Sequence, residues 1–386
     1  LRATGRLHTV LFIVNVDALA RAAREQGYEV HVATSITNPA NAQLIRDASL
    51  VLHVLPDIRT RTGIFSDLRF CAAVVGVLRR VRPDIAHLVT VKPIVYGGLI
   101  TRLFGRVGVV SAIPGLGYAF VANGLWARLR RRFVMLGYRL SLRNRRQRVI
   151  FQNREDMQLF LDHGIVRAGD AVLIRGSGVD LREFTPVPEP AGVVRVVMAS
   201  RLLREKGVIE FLHAARALED KGVRADFLLV GDVDRGNPGS LTADELKDAL
   251  KHAPVEWIGF RRDMSRVLTE SHVVCLPTYY GEGVPKVLIE AAACGRPAVT
   301  TDIPGCRDVV RHGQTGLLVP PRDVAALEDA LRTLIEDAQL RVRMGAAARK
   351  LAEREFGLEG VITSTLNIYV QLLRTEAPGA SISNAR

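Results

Sequence analysis

The sequence predicts an α/β protein of two doubly wound, Rossmann-like domains facing one another across a cleft. Apolar runs of strand length alternate with helical periodicity along the whole chain, the pattern of parallel sheets with helices on both faces. The 386 residues are about twice the usual length of one domain. A proline-rich break at Phe184-Thr-Pro-Val-Pro-Glu-Pro-Ala-Gly192 divides the alternation into two rounds.

In the first round, short β-branched-rich runs predict strands at Val10–Val14, Glu29–Ala33, Leu50–His53, Ile85–Val89, Val109–Ala112, Val149–Gln152 and Val172–Ile174. Ala18–Gln26 and Asp67–Arg80 carry helical periodicity. The uncharged stretch Val107–Ala127 is long enough to span a bilayer. Pro114 and Gly108, Gly115, Gly117 and Gly124 argue instead for a strand followed by a glycine-rich loop. Pro186, Pro188 and Pro190 suit a stiff extended linker, and the hinge is expected there.

The second round reads strand Val193–Ala199, helix Val208–Asp220, strand Phe227–Val230, helix Ala243–His252, and strands Val255–Trp257, Val273–Leu276 and Ala298–Thr300. Val324–Ile335 and Leu340–Phe356 close it as helices, and Leu358–Leu373 is a final helix able to fold back across the linker. The expected domains are 1–186, 187–360, and a C-terminal piece 361–386 made of that helix and a disordered tail after Ala377.

Composition excludes disorder, collagen and a small disulfide scaffold. Cys71, Cys275, Cys294 and Cys306 are scattered, form no C-x-x-C, and read as small buried thiols of a reducing cytoplasm. No secretory signal is visible, although the sequence opens at Leu1 without Met, so a cytoplasmic location is expected. The net charge of +13 is lopsided: residues 1–186 hold 27 Lys and Arg against 13 Asp and Glu, and residues 187–386 hold 26 against 27. Within 101–148 there are eleven arginines and no acid, a patch that attracts anionic lipid or nucleic acid.

The segment from Pro277 to Pro297 carries most of the chemistry. A strand ending at Leu276 runs into a turn bracketed by Gly281 and Gly283, and Pro285 suits the first position of the next helix. The free amides of Gly283, Val284 and their neighbours, with the helix dipole, favour an anion there. Glu282 and Glu290 are separated along this helix by about the length of a sugar ring. Read singly, Glu282 suits a helix-start acid and Glu290 a solvated residue; Leu288, Ile289 and Ala291–Ala293 argue for a buried carboxylate with partners. After the first strand of the second domain, Arg201 and Lys206 fit either a solvated turn or a diphosphate, Arg as a fork and Lys as a point charge.

Arg201-x4-Lys206, Leu229-Val-Gly-Asp232, Trp257-Ile-Gly-Phe260, Glu282-x7-Glu290 and Gly313-x-x-Gly316-Leu-Leu-Val-Pro-Pro321 stand in the order seen in the retaining GT-B glycosyltransferases of family 4, which the chain resembles. Gly176-Ser-Gly-Val-Asp180-Leu-x-x-Phe184 resembles the interdomain segment of that family. Val91-Lys-Pro-Ile-Val-Tyr-Gly-Gly98 and Pro114-Gly-Leu-Gly-Tyr118 resemble its subgroup that extends lipid-diphosphate-linked sugars in bacterial surface polysaccharide assembly. The resemblance implies that Arg201 and Lys206 hold the donor diphosphate and Glu290 the ribose hydroxyls. It implies that Glu282, with the helix start at Gly283, Val284 and Pro285, contacts the donor sugar, and that Phe260 lies by the nucleobase. Arg201, Lys206 and Glu282 are the expected catalytic groups, and Asn15, His87, Lys92, Gly115 and Gly117 the candidates for acceptor contact. His87 and Lys92 suit structural roles equally well. No cofactor is expected, the nucleotide sugar being a substrate, and no metal, because cationic side chains and the helix start meet the leaving-group charge. Asp232-Val-Asp234 reads as the edge of the donor pocket and is the one feature that keeps a metal-dependent alternative. Relatives carry a longer connection after the first strand than the one following Val14-Asn-Val-Asp17 here.

Leu125–Arg143 interleaves Trp126, Phe133, Leu136, Tyr138 and Leu140 with arginines, the composition of an interfacial helix on anionic lipid or of an ordinary helix with a cationic face. The expected protein is a peripheral glycosyltransferase on the cytoplasmic face of the membrane, held through residues 126–148. It moves a hexose or N-acetylhexosamine from a nucleotide-diphosphate donor, UDP-linked by expectation, to a polyprenyl-diphosphate-linked sugar. Nucleic acid is not an expected partner, since no nucleic-acid motif accompanies the charge. The alternatives are a GT-B sugar-nucleotide epimerase and a nonenzymatic lipid-binding scaffold.

Overall fold

The computed structural model describes residues 7–13, 17–36, 39–57, 63–115, 125–234, 236–237, 239–279, 281 and 283–374. One parallel sheet contains β1 (Thr9–Ile13), β2 (Glu29–Thr34), β3 (Val51–Val54), β4 (Ile85–Val89), β5 (Gly108–Ile113), β6 (Gln147–Phe151) and β7 (Ala171–Leu173), in the order β3-β2-β1-β4-β5-β6-β7. Its connecting helices are α1 (Asp17–Glu25), α2 (Pro39–Asp47), α3 (Ile64–Val81), α4 (Gly98–Thr101), α5 (Leu125–Ser141) and α6 (Arg154–Asp162). The central strands read as unbroken apolar runs because both faces are covered: Val10, Leu11, Phe12 and Ile13 are all buried, whereas Val51 and Val54 on the edge strand β3 are exposed.

A second parallel sheet contains β8 (Arg195–Ala199), β9 (Asp226–Val230), β10 (Val255–Trp257), β11 (Val273–Leu276), β12 (Ala298–Thr301) and β13 (Gly316–Val319), in the order β10-β9-β8-β11-β12-β13. With it go α7 (Val208–Asp220), α8 (Ala243–Leu250), α9 (Met264–Thr269), α10 (Lys286–Ala293), α11 (Cys306–Val309), α12 (Val324–Glu336) and α13 (Ala338–Glu355), and α14 (Leu358–Arg374) follows. Phe211, Leu229, Val274, Ile289 and Leu331 lie in the core between this sheet and its helices. The doubly wound reading therefore holds for both sheets. In each, strand order reverses beside the first strand, between β1 and β4 and between β8 and β11, which opens a crevice at the carboxyl ends.

The chain divides into two compact units, one of 1–114, 128–174 and 362–386, the other of 115–127 and 175–361. The division after Ile174 corrects the hinge expected at 184–192. That segment is fixed to the second unit, because prolines lack N–H groups and leave the carbonyls of 184–190 open to side-chain donors. Buried Arg296 donates to Val187 O at 3.0 Å and Pro188 O at 3.2 Å, and Arg349 to Phe184 O at 2.8 Å. Buried Arg341 pairs with Glu189 at 2.9 Å, and His272 Nε2 lies 3.0 Å from Pro190 O. The final helix forms as expected, and its residues from Ile362 onward belong to the first unit. The tail after Ala377, the connection at 14–16 and much of the glycine-rich loop after Pro114 lie outside the described residues.

Candidate functional site

In the second unit all six strand-end loops lie along one edge of the sheet, because every strand is parallel. Two glycines let these loops close on one another. A Cβ at Gly207, which has φ 80°, would lie 2.2 Å from Pro277 O, and one at Gly231, φ 131°, would lie 1.9 Å from Ser200 O. Only glycine allows both the left-handed backbone and such approaches. The Lys206 turn is thus joined to the loop after β11, where Tyr279 N and Thr278 Oγ1 donate to Glu205 O at 2.9 and 3.0 Å. The loop after β8 is joined likewise to the loop after β9.

Between them is a cavity of about 390 Å³ lined by Arg201, Gly231, Asp234, Phe260, Val287 and Glu290, among others. Arg201, Phe260 and Glu290, far apart in sequence, are brought together as expected, and Asp232 and Asp234 stand at the rim read for them. Phe260 is largely exposed, and Trp257 Nε1 donates to Gly231 O at 2.8 Å. Arg201 Nη1 lies 3.2 Å from Asp234 Oδ2. The amide of Asp234 is itself held by Ser240 Oγ at 2.8 Å.

Glu290 is 7 % exposed on α10, and its carboxyl is pushed above the usual range by burial, with Glu183 adding like-charge repulsion. Lys286 Nζ, 3.5 Å away and itself mostly exposed, works against the shift. A buried carboxylate with one loose partner is an acceptor waiting for donors such as a pair of hydroxyls. Gly283, Val284 and Pro285 are buried at the start of α10 and do not line this cavity. Pro285 is the residue before the first helical one, with ψ 123°, a correction by one position to its expected place inside the helix. Glu282 lies outside the described residues, as do Asn15 and Gly117.

In the first unit His87 is a core residue. It lies mid-strand in β4, is 2 % exposed, stacks on Phe12 and has Nδ1 2.6 Å from the Tyr369 hydroxyl. Burial drives its pKa down to about 3. The structural alternative for this residue therefore replaces acceptor contact. Lys92 is half-exposed just past β4 and pairs with Asp67 at 3.0 Å. Asp67 also accepts a hydrogen bond from Tyr96, whose pKa is raised to about 12 chiefly by burial. Thr90, at φ 72°, holds a backbone that a β-branched residue rarely adopts, directly before this cluster. Gly115, φ 144°, follows β5 at the same sheet edge.

Sequence reasoning passed over Val287, Asp67 and Tyr96. Val287 was within reach, since it precedes Glu290 by three positions and so shares its helix face. Asp67 gave no local signal, because its partners Lys92 and Tyr96 are met only through the packing of α3 on the segment after β4.

The family model described as Glycosyl transferase 4-like matches residues 1–153, and that described as Glycosyl transferases group 1 matches residues 182–351. The chain is 26% identical over 319 residues, 79% of its length and 82% of the other, to the N,N'-diacetylbacillosaminyl-diphospho-undecaprenol alpha-1,3-N-acetylgalactosaminyltransferase of Campylobacter jejuni. It is 23% identical over 343 residues, 85% of each chain, to the UDP-Gal:alpha-D-GlcNAc-diphosphoundecaprenol alpha-1,3-galactosyltransferase of Escherichia coli. The crystal structure of Anabaena Alr3699/HepE in complex with UDP and glucose has the same fold, with a TM-score of 0.74 at 19% identity over 94% of this chain and 100% of that one. Two family models in the expected halves, relatives matched over 82% and 85% of their own length and a shared two-sheet fold lead to one conclusion: the chain belongs to the family 4 GT-B glycosyltransferases.

Proposed function

We propose that the protein transfers a hexose or N-acetylhexosamine, with retention, from a UDP-sugar to a sugar on a polyprenyl diphosphate. The observation that carries this is the cavity joining Arg201, Phe260 and Glu290 beside the β8–β11 reversal. Breaking the anomeric C–O bond leaves negative charge on the departing nucleotide diphosphate. Arg201, which lines the cavity, and Lys206 and the amides before α10, which do not, are the donors proposed to meet this charge, and retention follows from front-face attack with the diphosphate taking the acceptor proton. Glu290 accepts from the ribose hydroxyls, and Phe260 covers the base. The two undecaprenol-linked relatives support the acceptor class. On the acceptor side, the Lys92–Asp67–Tyr96 cluster offers both donors and an acceptor to sugar hydroxyls. We propose further that no metal takes part: Asp234, half of the Asp-x-Asp pair, is engaged with Arg201.

Among the described residues no helix is long and apolar enough to cross a membrane. The outer face of α5 supports peripheral attachment. Leu129, Phe133, Leu136 and Leu140 are between 42% and 66% exposed. At 3.6 residues per turn they fall within about 60° of one another. Exposed Arg132 and Arg139 flank this stripe on one side. An apolar stripe edged by cations suits the headgroup boundary of an anionic bilayer, on the inner face if the substrates are cytoplasmic.

The test is a thermal shift with UDP, GDP and ADP, with and without EDTA, followed by transfer assays with UDP-sugars and lipid-diphosphate acceptors. A UDP-specific, EDTA-insensitive shift and acceptor-dependent UDP release are expected. Conversion of the UDP-sugar to its epimer without acceptor points to the epimerase class, and no nucleotide shift refutes the donor assignment. Phe133→Ser with Leu136→Ser should abolish flotation with phosphatidylglycerol vesicles while leaving UDP affinity unchanged.

A further inference from the structure

We propose that Arg322 is a positioning residue: its guanidinium clamps Tyr279 and so fixes the loop through which β11 leads into α10. Its consequence for donor binding rests on the reading above; the clamp itself rests on geometry. Arg322 has φ 63°, in the left-handed region that disfavours every residue except glycine. It stands in the exposed turn between β13 and α12, where a glycine would adopt the same backbone freely. A non-glycine residue persists in such a conformation where its side chain gains a contact that offsets the strain.

That contact is visible. The Arg322 Cζ lies 4.2 Å from the centre of the Tyr279 ring, a close cation–π approach. Tyr279 is half-buried, and its backbone is already tied to the Lys206 turn through Glu205 O. Thr278 beside it donates to the same carbonyl and accepts from Thr301 Oγ1 through its own carbonyl. The loop after β11 is therefore held from the β8 and β12 sides by backbone-directed bonds, and from the turn after β13 by the Arg322 side chain. Arg322 is the part of this arrangement that a single substitution removes without disturbing the sheet.

Arg322→Gly relieves the backbone and deletes the cation together, and Tm and local exchange read the two effects apart. In the ligand-free full chain, amide hydrogen exchange at Tyr279, Gly281, Gly283 and Val284 should accelerate about three- to tenfold. The UDP Kd should rise by a similar factor, while Tm holds or increases. Tyr279→Leu, which removes the ring and leaves Arg322 in place, should give the same two changes. Unchanged exchange at these amides in either folded variant overturns the clamp. Accelerated exchange in a protein whose wild type binds no UDP, GDP or ADP supports the clamp and overturns the donor reading instead.

Discussion

Replacing Glu290 by Gln should stabilise the ligand-free protein and weaken nucleotide binding, two effects of opposite sign from one exchange. The carboxylate is buried on α10 with Lys286 at 3.5 Å as its counter-charge, and that lysine is 65% exposed and well screened. An isosteric amide removes the cost of burying charge, on the order of 1 kcal/mol, which raises Tm by about 2–4 °C in a unit of this size. The pH dependence fixes the cause. The folded-state pKa is raised above the ordinary 4.5 of a free glutamate, so the contribution of this group to stability is full below pH 4.5 and is lost as pH rises through the raised value. The advantage of the amide should therefore vanish near pH 4 and be open at pH 8. On the binding side, a hydroxyl donating to a carboxylate contributes about 1.5–3 kcal/mol, against about 0.5–1.5 for a neutral acceptor. Two ribose hydroxyls then lose roughly 2–3 kcal/mol, about 30- to 140-fold in UDP Kd. Differential scanning fluorimetry across pH and calorimetry with UDP read both. A Tm lower than wild type at pH 8, or an unchanged UDP Kd, refutes the reasoning.

Three other outcomes follow from the geometry. Asp234→Asn frees Arg201 from a half-exposed ion pair worth about 0.2–1 kcal/mol, so UDP should bind about 1.5- to 5-fold more tightly; weaker binding would show that Asp234 orients Arg201 rather than competing for it. Gly207→Ala forces a Cβ to within 2.2 Å of Pro277 O at φ 80°, and should cost more than about 1–3 kcal/mol in urea denaturation together with most nucleotide affinity. His87, with its pKa lowered from 6.5 to about 3, contributes stability that is full above pH 6.5 and is lost as pH falls toward 3, at about 1.4 kcal/mol per pH unit. His87→Gln should flatten this acid limb, and an unaltered slope in urea midpoints between pH 5 and 7 would assign the limb to other groups.

The strands that were legible are the ones whose burial is uniform. Ile85–Val89 and Val273–Leu276 form with the expected limits, because an inner strand of a parallel sheet is an unbroken apolar run. β6 begins earlier than its apolar run, at Gln147 and Arg148, which pair with Val109 and Val110; the ladder accepts polar side chains that periodicity rejects. β13 carries no strand signal of its own, since Gly316 opens it and glycine is a poor strand former. The 184–192 segment misled for a different reason. Its prolines do give an extended chain, but Arg296, Arg341 and Arg349, more than a hundred residues downstream, decide that it is clamped.

The candidate site shows the same division between what topology dictates and what contacts decide. In a parallel sheet every carboxyl strand end faces one edge, so residues shortly after strands are brought to one place whatever the loops do. Arg201 after β8 and Phe260 after β10 are such residues, and Glu290 follows from the helix that β11 feeds. Sequence order alone therefore names them. What makes the loops a site is distance: Gly207 against Pro277, Gly231 against Ser200, Asp234 on Arg201 and Arg322 over Tyr279. Each joins strand ends far apart in sequence, and none has a local pattern of its own. The glycines come nearest to being readable, since a glycine directly after a strand or before a helix asks what lies within reach of its missing Cβ. Here the answer in both cases is a backbone carbonyl of another strand-end loop. The strand-end loops around the cavity are thus joined by main-chain approaches that no side chain at those two positions could permit.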